Sequence, residues 1–128
     1  MPFTSSEDFA RRVDAVKRLI EMIKSREVVW AHVMLFQYYI EGEPCSGSAL
    51  TVTPNDTPNI DETGDGFRCD AFFPDEVLSL HALSVGQKMT SGAMSGTIRV
   101  KLEVKTEDVV GIIVRTESGP ESTLYVVS

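Results

Sequence analysis

The run from Val28 to Ile40, "VVWAHVMLFQYYI", restricts the fold more than any other part of the chain. It is built from β-branched and aromatic residues and holds no charge, glycine or proline, which reads as a long central β-strand. Strict alternation places Val28, Trp30, His32, Met34, Phe36, Tyr38 and Ile40 on one face, and Val29, Ala31, Val33 and Leu35 on the other. Both faces are apolar, so both require cover.

The cover on one side is expected from a helix over Thr4–Glu27. Thr4-Ser5-Ser6-Glu7 has the form of a capping box, and Glu7 and Asp8 complement the positive end of a helix. Phe9, Val13, Val16, Ile20 and Ile23 recur at helical spacing on one face, interrupted only by Arg12 and Arg26 at its edge. Ala15, Leu19 and Met22 widen the stripe beyond what one sheet normally covers, so a homodimer is expected with these three residues near its interface or an adjacent edge strand.

Short strands are expected at Ser48–Thr53 and Phe67–Phe72. "GTIRVKLEV" alternates Ile98, Val100, Leu102 and Val104 against Arg99, Lys101 and Glu103, a strand with one wet face. "DVVGIIVRT" pairs with it as a hairpin, and "STLYVV" closes the sheet after the Gly119-Pro120 turn. The segment 75–85 carries helix and strand signals together, with Pro74-Asp75-Glu76 at its start and Gly86 as a C-cap. The expected fold class is α+β: an N-terminal helix packed on a curved, mainly antiparallel sheet of about five to six strands, in a single domain spanning 1–128.

The formal net charge is −7, and one segment carries all of it. Between positions 41 and 76 lie Glu41, Glu43, Asp56, Asp61, Glu62, Asp65, Asp70, Asp75 and Glu76 against the single base Arg68. A one-sided block of this kind has a directional field that suits a basic protein partner. Nucleic acid is excluded for want of a basic stripe. No apolar run is long enough to span a membrane. The N-terminus lacks the pattern of an export signal, and the two cysteines make no disulfide framework, so a cytoplasmic setting is expected.

The acidic stretch also invites a metal reading. Counted from Asn59, a calcium loop would draw ligands from Asn59, Asp61, Thr63 and Asp70, with Gly64 in the sixth place. The first position should be Asp, Asp70 is shorter than the usual Glu, and no flanking helices are expected, so a solvated acidic loop is the reading and no metal is assigned. Nucleophile readings, pairing Cys45 or Cys69 with His32 or His81, lack a local signature. The "GAMSG" stretch around Ser95 is not a nucleophile elbow.

The leading expectation is therefore a non-enzymatic interaction or regulatory domain that needs no cofactor. It binds a basic partner through Asp56, Asp61, Glu62 and Asp65 of segment 41–76. The alternative is a small-ligand-binding domain or cofactor-independent enzyme. That reading builds a cavity from Trp30, His32, Met34, Phe36 and Tyr38, with His32, Tyr38 and Asp70 as its catalytic candidates.

Overall fold

The computed structural model describes residues 6–74 and 97–127. The capping residues Thr4 and Ser5, the segment 75–85, His81 and the Ser95 loop lie outside the described residues.

Helix α1 spans Ser6–Lys24, with Glu7 and Asp8 in its first turn and Lys24 in its last. It stops short of the expected Glu27 for a backbone reason. Arg26 adopts a left-handed φ of 61°, its N–H donates to the Ile23 carbonyl, and the Glu27 N–H donates to the Met22 carbonyl. This is a Schellman ending with arginine where glycine is usual.

The buried side of α1 is rotated from the expected stripe. Asp8, Arg12, Ala15, Val16, Leu19, Ile20, Met22 and Ile23 are buried, while Phe9 is 42% exposed and Val13 half-buried. Ala15, Leu19 and Met22, expected at a subunit interface, instead lie inside the chain's own core. That core draws on strands of two sheets rather than one, which accounts for the width of the stripe.

Among the described residues nine strands follow: β1 (Val28–Leu35), β2 (Gln37–Ile40), β3 (Glu43–Ser46), β4 (Ala49–Val52), β5 (Asp61–Thr63), β6 (Gly66–Pro74), β7 (Thr97–Lys105), β8 (Val109–Thr116) and β9 (Glu121–Val126). They form two antiparallel sheets in place of the single one expected, a four-stranded sheet ordered β4-β1-β8-β9 and a five-stranded sheet ordered β3-β2-β7-β6-β5.

The long strand read from Val28 to Ile40 is divided at Phe36, where the chain passes from one sheet to the other. Its partners divide with it. β1 pairs with β8 from Val28↔Thr116 to Leu35↔Val109. β2 pairs with β7 at Tyr39↔Glu103 and Ile40↔Leu102. A 3₁₀ turn at Thr106–Asp108 carries the chain across the matching corner, where the Phe36 N–H donates to the Asp108 carbonyl. β7 and β8 therefore enter different sheets and do not form the expected hairpin.

The corner changes which residues face inward. In β1 the buried residues are Ala31, Val33 and Leu35, whereas in β2 Ile40 is buried and Tyr38 packs against the core. A register shift between Val28 and Trp30 also puts Val28 on the buried side. Period-two reasoning fails across a corner and a bulge because each adds a residue that breaks the alternation.

The β2–β3 hairpin closes through Glu41 and Gly42, both left-handed at φ 50° and 83°. This matches the mirror-image two-residue turn that a twisted hairpin favours. On β7 the alternation holds as read: Ile98, Val100, Leu102 and Val104 are buried and Arg99 and Lys101 exposed.

Candidate functional site

The acidic segment is structured, and the structure distributes its charges. Thr57 is buried and anchors the loop before β5 through bonds from its N–H and hydroxyl to the Thr53 carbonyl. Ile60 enters the core beside it. The stretch that partly matched a calcium loop folds as the β5–β6 hairpin, with Thr63↔Gly66 flanking the turn at Gly64-Asp65.

Its carboxylates meet bases that arrive from distant parts of the chain. Lys24 at the end of α1 reaches Asp61 at 3.0 Å, and Lys105 at the end of β7 reaches Asp65 at 3.3 Å. Arg99 of β7 pairs with Asp70, which also accepts from the Asn59 side chain at 2.8 Å. These bonds, the one from Arg99 first and that from Asn59 next, hold the Asp70 carboxyl below its ordinary range. A charge block that is one-sided along the sequence is therefore partly compensated in space. Exposed pairs of this sort add only ~0–1 kcal/mol of stability each.

The proposed partner-binding residues separate. Asp61, Glu62 and Asp65 stand together on the β5–β6 hairpin. Asp56 lies elsewhere, lining a separate cleft with Ala49, Leu50, Thr51 and Phe72.

Beside the hairpin, a cleft of about 180 Å³ opens against the N-terminal half of α1. Phe9, Val13 and Val16 supply its apolar lining, and Glu62, Asp65 and Glu107 are the acids around it, with Lys17 the one base among the described lining residues. Its walls are fixed from beneath. The Thr106 N–H donates to the Asp65 carbonyl at 2.8 Å, tying the hairpin turn to the 3₁₀ turn. The same 3₁₀ turn is tied to the helix by Arg12, whose Nη1 donates to the Glu107 carbonyl at 2.8 Å.

Arg12 is the centre of a buried polar network. It is 3% exposed, as is Asp8, and the two pair at 3.2 Å. Its Nε donates to the Tyr125 hydroxyl, which in turn donates to Asp8 at 2.7 Å. Burial, and then the bond to Asp8, raises the Tyr125 phenol above its ordinary value, which keeps it a donor. Arg11 reaches Asp8 from the exposed side at 2.8 Å. The network joins α1 to β9 and to the 3₁₀ turn, and so sets the mouth of the cleft.

The residues of the alternative cavity lie apart. Trp30, His32 and Met34 lie half-exposed on the side of β1 opposite its buried residues, with the His32 ring edge-on to Trp30 at 4.4 Å. Phe36 is at the corner and 57% exposed. Tyr38 packs toward the core opposite Cys45, and its phenol is raised by burial and then by that thiol. His32 is thus in the four-stranded sheet and Tyr38 and Asp70 are in the five-stranded one, on opposite faces. No cleft described above is lined by any of the three.

The cysteines offer no activated nucleophile. Both are free thiols. Burial, aided by Asp70, pushes Cys69 up to about 12, and burial raises Cys45 as well. A thiolate is the reactive form. Among the described residues no group of three or more His, Cys, Asp or Glu side chains gathers to hold a metal ion, and no helix is long and apolar enough to cross a membrane.

Sequence reasoning missed Phe9, Val13, Lys17 and Glu107 as lining residues. Phe9 and Val13 carried a usable signal, since they open the apolar stripe at the end where Asp8 and Arg12 take the buried positions. Compared with protein-family models, with curated proteins and with solved structures, the chain matches none.

Proposed function

We propose that this chain is a non-enzymatic interaction domain that binds a basic protein partner, and that the binding surface is the β5–β6 hairpin together with the cleft beside α1. The observation that carries the reading is the cleft itself, where three acids from two separate elements, Glu62, Asp65 and Glu107, gather around an apolar lining. A concave apolar site with a few charged groups at its edge is the usual form of a recognition site. The finer architecture belongs to the same proposal. The nine strands act as one surface bent at Phe36 and Thr106, with the helix across its hollow side, and the cleft is the gap at one end of that helix.

The free state of Cys45 and Cys69 supports a cytoplasmic setting. The ligand-cavity reading has less support, because its residues sit on different surfaces.

The partner is recognised by charge, so a short cationic peptide serves as its surrogate. Isothermal titration with pentalysine at low and moderate salt is expected to show salt-sensitive binding. Neutralising Asp61, Glu62 and Asp65 together should weaken it about tenfold or more and flatten the salt dependence, while Asp56→Asn changes it little. Equal effects from the triple variant and from Asp56→Asn would remove the hairpin from the account.

A further inference from the structure

The charge on the hairpin alone does not explain why an apolar floor is open beside it. Phe9 is a large aromatic residue left 42% exposed in the second turn of a helix whose other face is buried. It lines the cleft with Val13 and Val16, opposite the Thr63-Gly64-Asp65 turn. The volume, about 180 Å³, matches the scale of a single ring: an apolar cavity of roughly 150 Å³ holds benzene. It is too small for a strand or a helix to enter. What fits is one side chain.

The charges select what flanks that side chain. Glu62 has no ion-pair partner among the described residues, and Glu107 is exposed with only its carbonyl engaged by Arg12. Asp65 shares Lys105 but is itself 62% exposed. An aromatic anchor with acidic neighbours would meet repulsion from all three, whereas one with lysine or arginine neighbours would meet complementary charge.

We infer that the cleft between α1 and the β5–β6 turn takes one aromatic side chain of a basic partner segment, held between Phe9, Val13 and Val16, with the segment's flanking cations against Glu62, Asp65 and Glu107. This rests on the proposed function and adds the anchor to it. The anchor supplies register and residence time, and the acids supply the encounter rate.

The test uses fluorescence anisotropy with labelled Lys-Lys-Phe-Lys-Lys and Lys-Lys-Ala-Lys-Lys at fixed salt. The phenylalanine peptide should bind about tenfold tighter, the expected gain from burying one ring. Phe9→Ser should erase that difference and leave the weak binding of the alanine peptide unchanged. Val13→Gln, made separately, should do the same, and circular dichroism checks both folds. Equal binding of the two peptides would overturn the anchor and leave the acidic surface standing. Failure of both peptides to bind would overturn the two together. A preference that survives in both variants would place the anchor elsewhere and overturn the cleft. Self-association of the protein that the peptide reverses would identify a second copy of the chain as the occupant, and would overturn the inference likewise.

Discussion

Arg12→Ala is expected to lower the unfolding free energy by about 3–5 kcal/mol, the usual loss when one member of a buried ion pair is removed. Four groups depend on this guanidinium: the Asp8 carboxylate, the Tyr125 hydroxyl, and the carbonyls of Thr106 and Glu107. The bonds to Asp8, Tyr125 and the Thr106 carbonyl are buried, so losing the guanidinium leaves these groups short of a partner away from water. Lysine will not restore the loss, because a single ammonium cannot reproduce a planar fork that serves three directions. Replacing both partners, as Asp8→Leu with Arg12→Met, should recover much of the stability, since two apolar groups leave no orphaned charge. Urea denaturation of the three variants gives the comparison. A loss under ~1 kcal/mol for Arg12→Ala would mean that the network does not secure the helix.

The second large effect is expected at Gly66. A Cβ there would sit 1.9 Å from the Val104 carbonyl oxygen and 2.9 Å from the Lys105 Cα, both backbone atoms that cannot rotate aside. Gly66→Ala must therefore push β6 from β7 at the point where the hairpin turn is hung, at a cost of roughly 3 kcal/mol or more, the upper range for forced overpacking. It should also loosen the Thr106–Asp65 bond and with it one wall of the cleft. Gly64 is the control. It stands two residues away in the same turn, a Cβ there meets nothing within 4 Å, and Gly64→Ala should leave the melting temperature nearly unchanged. If the two alanine variants melt alike, the close approach at Gly66 is not a constraint.

These two residues also mark where sequence reading reached its limit. Gly66 sits in an acidic stretch whose glycines look alike in one dimension, and only the register Gly66↔Lys105 distinguishes it. In the sequence Arg12 is only an interruption at the edge of an apolar stripe. Its partners, Tyr125 and the carbonyls of Thr106 and Glu107, lie at the far end of the chain, and no periodicity connects them.

What was legible was local. The helix and the alternation of Ile98 to Val104 are each set by side-chain pattern over a few residues, whereas the hairpin expected between β7 and β8 does not form, because the two strands belong to different sheets. The division of Val28–Ile40 was not legible, because Phe36 is as apolar as its neighbours and nothing in composition marks a corner. Charge showed the same limit. The acids of segment 41–76 were correctly located along the chain, yet Lys24, Arg99 and Lys105 come beside them only through tertiary pairing. The cleft escaped notice for a related reason, since its acids come from two segments, and Glu107 lies in a stretch whose charges balance.

The most direct measurement of the central claim is a chemical-shift map. Titrating ¹⁵N-labelled protein with Lys-Lys-Phe-Lys-Lys should move the amides of Val13, Lys17, Glu62, Thr63, Asp65 and Glu107 together, in fast or intermediate exchange, while those of Trp30, His32 and Thr51 stay in place. Shifts concentrated on Trp30, His32 and Thr51, or on Asp56 and its neighbours with the α1 amides unmoved, would contradict it.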